Sequence, residues 1–353
     1  MDGPNERLGK NESVAIGLVY DPVAGGQKHV IFFLPNYYNR NFYSEVNNKN
    51  INFMSSIIYL PLWFFKAKFL GIKKPLQTVL FISDKCNLKC KHCCVYKQEN
   101  PNIKSYEDIR KELEYSYQLG SRFVDFEGGE PTIWKDGEHD LNSLIRLSKE
   151  IGFYSATMTT NAQRSFTGSE ADSIWVSLDG MGKYHDEIRG TGAFDRLVEN
   201  IATANHPELS VNMVVNSINY SSVEETIEFA KNNPNIKSIS VNFHTPYKGT
   251  EDLCLDWNIR KEVIDLVIRK KKAGYPIMNS VSGLKLMKHN NFKKQCWVTN
   301  FIMSDGTRLN ECQGKTAEVC DQCGFAMAGE MHSIFNLSPD TIWAGMKLRL
   351  FGK

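Results

Sequence analysis

Four thiols crowd into nine residues, at Cys86, Cys90, Cys93 and Cys94. Cys86-Asn-Leu-Lys-Cys90-Lys-His-Cys93 has Cx3Cx2C spacing and directly follows the apolar run Gln77 to Ser83. Thiolates hold iron–sulfur clusters, and three of them on a [4Fe–4S] cube leave one iron open for a small molecule. Structural zinc is the alternative, but zinc prefers four ligands and CxxC spacing. Cys94 offers a fourth thiol, yet adjacent residues rarely reach one ion without strain. It reads as a small buried hydrophobe.

A second group, Cys296, Cys312, Cys320 and Cys323, spans 28 residues, with Gly306 and Gly314 between its members. Four thiols suffice for one complete cluster or one zinc. Cys254 stands apart and reads as structural. The polar start, Met1 to Asn11, has no signal-peptide core. Clustered cysteines in such a chain read as ligands rather than disulfides, and a reducing cytoplasm suits them.

Polar residues close several strand-like runs. Gly128-Gly129-Glu130-Pro131 combines close backbone approach with a carboxylate able to accept from an ammonium group. Thr160-Asn161, Ser177-Leu178-Asp179-Gly180 and Ile188-Arg189-Gly190 follow. Asn216 and His244 end two further runs and read as polar residues closing strands.

Cx3Cx2C after a first strand, with Gly-Gly-Glu-Pro about forty residues on, resembles the radical S-adenosylmethionine (radical SAM) superfamily. That resemblance implies a partial (β/α)6 TIM-like barrel and a [4Fe–4S] cluster on Cys86, Cys90 and Cys93. Its open iron would bind the amino and carboxylate groups of S-adenosylmethionine. Reductive cleavage would give a 5′-deoxyadenosyl radical that takes hydrogen from an unactivated C–H bond. Gly128, Gly129 and Glu130 would hold the methionine amine, and Ser177 and Arg189 its carboxylate. Asp179 would meet the ribose, His92 the adenine, and Asn161 the cofactor or its own turn.

Ser-Leu-Asp-Gly followed by His-Asp and Arg-Gly resembles the subgroup with auxiliary clusters. C-x9-G-x5-C resembles the opening of twitch and SPASM domains, which usually have one residue fewer after the glycine. The cysteines remaining allow one auxiliary [4Fe–4S] cluster, on Cys296, Cys312, Cys320 and Cys323. A flavodoxin- or ferredoxin-like electron donor is implied. The substrate class stays open between peptide, lipid and small molecule. A non-enzymatic metal-binding or redox-relay protein is the rival reading.

The elements that must position these residues are strands alternating with helices. Strands are expected at 77–83, 122–127, 155–160, 173–179, 210–216 and 238–244. Helix signals lie between them: Ser105 and Gly120, Asp140 and Gly152, a face of Phe194, Leu197 and Ile201, a Ser222–Glu225 capping box, and Ile259 to Lys272 with its basic end. Six units are fewer than the eight of a closed barrel. The fold class is therefore α/β, with the barrel at 76–290, a cysteine-rich auxiliary domain at 291–330 and a tail at 331–353.

Residues 1–50 form an extension with strand candidates at 14–20 and 29–34, turn residues between them and a loop at 35–50. Residues 51–75 are amphipathic and hydrophobic, interrupted by Pro61. They predict peripheral membrane contact through 51–74, or a helix closing the open side of the barrel. No run is long enough to span a bilayer. A net charge of +2 gives no argument for nucleic acid as a partner.

Overall fold

The computed structural model describes residues 15–19, 29–33, 58–95 and 99–349. Two compact units divide the chain, 1–54 and 55–353. In the first, β1 (Ala15–Val19) and β2 (His29–Phe33) pair antiparallel, with Ala15 opposite Phe33. The turn expected between them, the 35–50 loop and residues 51–57 lie outside the described residues.

The second unit starts with a helical stretch, α1 (58–69). There follow β3 (Gln77–Ser83), α2 (Tyr106–Leu119), β4 (Phe123–Gly128), α3 (Leu141–Ile151), β5 (Ser155–Thr160) and β6 (Ser173–Ser177). Next come α4 (Lys183–Arg189), α5 (Ala193–Ala204), β7 (Leu209–Val215), α6 (Val223–Asn232) and β8 (Ser238–Phe243). Strands β3 to β8 lie side by side in chain order, all parallel. This is the open, partial barrel that the family resemblance implied, with the six strands that the alternation predicted.

Beyond β8 run α7 (Trp257–Lys272), α8 (Val281–Met287), β9 (Thr299–Ile302), β10 (Arg308–Leu309), α9 (Gln313–Thr316), α10 (Ala326–Phe335) and α11 (Pro339–Arg349). β9 joins the free edge of β3 in parallel, Gln77 beside Thr299 and Leu80 beside Ile302, and β10 returns antiparallel on β9. The cysteine-rich tail is thus hydrogen-bonded into the barrel sheet.

Local chemistry explains the helix ends. Ser105 accepts from the Asp108 N–H to start α2, and Gly120 ends it at φ 126°. Asp140 and Ser143 close a reciprocal capping box on α3. The box expected from Ser222 and Glu225 does not form. Ser222 has helical dihedrals at the end of a 3-10 turn, and its hydroxyl accepts from Met181 N–H at 2.9 Å instead. α7 begins at Trp257, two residues before the expected Ile259, because Asp256 accepts from the Asn258 N–H as its N-cap.

The strands alternate rather than reading apolar throughout. Val124, Phe126, Met158, Ile174, Val176 and Met213 face the helices and join the main core. The residues between them, such as Asp125, Glu127, Thr159, Ser177 and Asn212, lie on the concave side.

α1 covers the N-terminal ends of the strands and not the open side of the barrel. Trp63 and Ala67 pack with Leu76, Phe123, Val298 and Phe335, residues that precede or begin β3, β4 and β9 or end α10. Trp63 Nε1 donates to Lys74 O at 2.7 Å and Tyr59 Oη to Gly120 O at 2.6 Å. Pro61 does not interrupt the helix. It sits in the first described turn, where a missing N–H is tolerated.

Replacing Trp63 by Ala should cost about 3–5 kcal/mol in urea unfolding. Phe65→Ser, on the exposed side of the same helix, should cost no more than about 0.5 kcal/mol.

Candidate active site

The cysteine loop leaves the C-terminal end of β3, the end at which α/β barrels place their chemistry. Two backbone contacts fix it there. Gly129 N–H donates to Ser83 O at 2.7 Å, and Glu130 N–H to Lys85 O at 3.0 Å. A Cβ on Gly128 would stand 2.1 Å from Ser83 O, and one on Gly129 2.0 Å from Lys85 O. The two glycines are required because β4 meets the root of the cysteine loop backbone to backbone. No bound ligand is needed to explain them.

Glu130 is 1% exposed and its carboxylate is taken up by the protein. Oε1 accepts from Thr132 N–H, Thr132 Oγ1 and Thr160 Oγ1, and Oε2 accepts from Asn161 N–H at 2.8 Å. It straps the end of β4 to the end of β5. Asn161 carries the strap on to the cysteines. Its Nδ2 donates to Asn87 Oδ1 at 2.8 Å and lies 3.8 Å from Cys86 Sγ.

Asp179, fully buried, organises the other side. Oδ2 accepts from Arg189 Nε at 2.7 Å and lies 3.7 Å from His92 Nε2, while Oδ1 accepts from Val214 N–H. Burial works to raise its pKa, but Arg189, then His92 and His185, hold it below the ordinary carboxylate value. Arg189 is also buried, and its Nη1 reaches 3.8 Å from Cys90 Sγ. Asp179 and Arg189, expected to contact different parts of a cofactor, therefore form one ion pair beside the cysteines. Ser177 is half-buried, with its hydroxyl unengaged by any described residue.

His92 Nδ1 is buried without a described partner, and burial lowers this histidine's pKa to about 4. It is a neutral ring facing the site. Cys94, expected to be a buried small hydrophobe, is exposed. Asn216 and His244 serve their own loops. Asn216 Oδ1 accepts from Ile218 N–H, and His244 Nε2 lies 2.9 Å from Thr250 O.

The loop thiols suit a cationic cluster. Burial pushes Cys90 up to about 11 and raises Cys86, so thiolates there need positive charge, which iron supplies. Cys86 Sγ accepts from Leu88 N–H and Cys93 Sγ from Val95 N–H. The second thiol group is also brought together. Cys296 hydrogen-bonds Cys312 and lowers it to about 6, with Gly314 and Lys315 N–H groups assisting. Cys320 and Cys323 sit close enough to influence both. Neither group, among the described residues, is gathered as tightly as a single ion requires.

Asp125 and Glu127 alternate along β4 and so share its concave face. They hydrogen-bond each other, and Thr159 Oγ1 lies 3.5 Å from Asp125 Oδ1 and 3.4 Å from Glu127 Oε1. Burial raises the pKa of Glu127. Acidic residues two apart in a strand that ends at Gly-Gly were the available signal.

A parallel, partial barrel with three thiols at the end of its first strand defines an iron–sulfur enzyme architecture. Residues 80–230 match the Radical SAM superfamily, and this part of the chain is a radical SAM domain. That family uses a [4Fe–4S] cluster and S-adenosylmethionine. Curated relatives include a probable GTP 3′,8-cyclase of Saccharolobus islandicus, 31% identical over 171 residues. A Sulfurisphaera tokodaii protein of the same description is 31% identical over 156 residues. These alignments cover 45% and 41% of this chain, and the chain spans about half the length of each relative, 54% and 49%. The fold is shared with Streptococcus suis SuiB bound to S-adenosylmethionine, at TM-score 0.57 and 19% identity over 90% of this chain and 75% of that one. It is also shared with anSMEcpe bound to AdoMet and a peptide, at TM-score 0.52 and 17% identity over 78% and 83%.

Gly129→Ala should strip iron from the first cysteine group, because its Cβ meets backbone rather than a movable side chain. Iron per chain after anaerobic reconstitution checks this. A pH effect is expected from His185, fully buried, whose Nδ1 accepts from Asp179 N–H while Nε2 has no described partner. Burial lowers its pKa from 6.5 to about 4. Between those values the unfolded chain binds the extra proton, so stability falls as pH drops through this window and is unaffected above it. His185→Asn should remove about 2 kcal/mol of the loss at pH 5, read from urea midpoints at pH 5 and pH 7.5.

Proposed function

We propose that this chain is a radical SAM enzyme that abstracts hydrogen from an unactivated C–H bond of a peptide carrying a polar or basic side chain. Cys86, Cys90 and Cys93 hold the cluster, and Cys296, Cys312, Cys320 and Cys323 hold one auxiliary cluster. S-adenosylmethionine bound at the first cluster supplies a 5′-deoxyadenosyl radical when an external donor of the flavodoxin or ferredoxin kind provides the electron.

The protein's part is orientation. Ser177 has a free hydroxyl for the methionine carboxylate. Arg189 has a guanidinium edge beyond its bond to Asp179 for the same group. Glu130 and Asp179 act through the residues they hold, Asn161 and Arg189, because both carboxylates are buried and engaged. The Gly128-Gly129 turn and the neutral ring of His92 complete the walls beside the thiols.

The observation that carries the substrate reading is the concave face. The six parallel strands place Asp125 and Glu127 there and contain no Lys or Arg. Such a wall attracts a cation or a hydrogen-bond donor and disfavours a triphosphate. Peptides are bound by SuiB and anSMEcpe, as their structures are described. A nucleotide substrate is the second reading, favoured by the GTP 3′,8-cyclase relatives.

The test is anaerobic reconstitution with iron and sulfide, then dithionite and S-adenosylmethionine. About eight irons per chain and release of 5′-deoxyadenosine are expected. Cys90→Ala should abolish that release. Cys320→Ala with Cys323→Ala should lower the count to about four irons. A loaded chain that releases no 5′-deoxyadenosine with either basic peptides or GTP would sink the enzymatic reading. A cyclised product from GTP would replace the peptide.

A further inference from the structure

Helix α1 is apolar on two opposite faces, and among the described residues only one of them is packed. Trp63 and Ala67 face the core at 8% and 6% exposure. Ile58, Leu62, Phe65 and Phe69, spaced by four, three and four residues, form one stripe on the other side and are 47–65% exposed. The Phe65 and Phe69 rings meet at 5.2 Å between centroids, tilted by 42°. Leu70 and Ile72 continue the ridge at 57% and 46% exposure. Twelve helical residues make it about 18 Å long.

The charges around it have one sign. Lys66 and Lys68 lie to either side of the stripe by helical spacing, Lys73 and Lys74 follow it, and all four are exposed. The Lys68 ammonium donates to Phe335 O and that of Lys73 lies over the Trp297 ring, so among the described residues Lys66 and Lys74 are the two that flank the ridge without such a contact to the packed side. No Asp or Glu occurs between residues 58 and 83. No described helix is long and apolar enough to cross a membrane.

We infer that this ridge seats the enzyme on an anionic bilayer surface, with α1 lying in the plane of the interface. An apolar stripe between lysines lets the rings enter the acyl boundary while the ammonium groups stay at the headgroups. A second copy fits worse, since two such ridges face to face would oppose eight lysines with no carboxylate among them. The ridge is convex, so it offers no groove for a peptide.

Its place in the fold limits what the contact can do. α1 covers the N-terminal ends of β3, β4 and β9, whereas the cysteine loop leaves the C-terminal end of β3. The seven residues of β3 separate the two ends by about 23 Å. A bilayer under α1 therefore faces away from the active-site mouth. The surface locates the enzyme and does not feed bilayer lipid into the barrel. This inference is independent of the peptide reading, and binding can be measured without any cluster.

The test is sedimentation of the full chain with phosphatidylcholine vesicles and with mixed phosphatidylcholine–phosphatidylglycerol vesicles. Binding is expected to the anionic vesicles, weakened by salt and at least tenfold weaker for Phe65→Ser with Phe69→Ser. Lys66→Glu with Lys74→Glu should weaken it too. Unchanged urea midpoints would show that these variants are folded. Failure of the wild-type chain to sediment with anionic vesicles would overturn the proposal, and so would equal sedimentation of the double phenylalanine variant. A salt-insensitive dimer broken by that variant, with no vesicle binding, would assign the ridge to a second copy.

Discussion

The arrangement depends on how closely two strand ends approach. β3 and β4 run parallel in register until Phe81 and Glu127, and the register then shifts as Ser83 meets Gly128. At that point the chain following β4 crosses the root of the cysteine loop at a distance no side chain would permit. The loop cannot lift from the sheet without breaking the Gly129 and Glu130 hydrogen bonds. Glu130 then turns inward and ties β4 to β5, and Asn161 turns back to the cysteine loop. A ring of contacts from β3 to β4 to β5 and back fixes where the thiols stand.

Asp179 and Arg189 give the opposite wall a different character. A fully buried ion pair does little for stability, since desolvation offsets most of its attraction. Its value here is positional. Asp179 holds a guanidinium against Cys90 and is itself held by the Val214 N–H, while its backbone N–H is fixed by His185 and its carbonyl by Asn219. Ser222, drawn from its expected cap to Met181, belongs to the same set of constraints. The local preference for a capping box loses because a buried turn after β6 needs its donor satisfied.

Much of this could be read from residue types and spacing. The six strands, the caps of α2 and α3 and the two thiol groups rest on local signals such as alternation, Ser and Asp before apolar runs, and Gly after them. What escaped depends on distant parts of the chain. β9 is four residues long and acquires strand character only by meeting the edge of β3, more than two hundred residues earlier. Glu130 reads as a free carboxylate until Thr132, Thr160 and Asn161 are seen around it. Asp125 and Glu127 read as ordinary acidic residues until the curvature of the sheet turns them inward. α1 was legible as apolar, but its burial was not, because it covers strand ends contributed by separate parts of the sequence.

The concave face separates stability from function most clearly. A barrel built only for stability fills its interior with layers of Val, Ile and Leu. Here the helix-facing side of the strands follows that rule and joins the helices in the main core. The inner side carries Asp125, Glu127, Thr157, Thr159, Ser177, Asn212 and Asn242 beside the apolar Val79, Phe81 and Trp175. Asn242 shows how these groups are held. Its Nδ2 donates to Asn212 Oδ1 at 2.6 Å, and its Oδ1 accepts from the Ala326 N–H at the start of α10, three residues after Cys323. The inner face is thereby tied to the segment just after the second thiol group, as Asn161 ties the end of β5 to the first cysteine loop. Polar side chains held at both ends give the inner face fixed hydrogen-bonding groups beside its apolar Val79, Phe81 and Trp175, and such a face suits a polar substrate that a purely aliphatic wall would exclude.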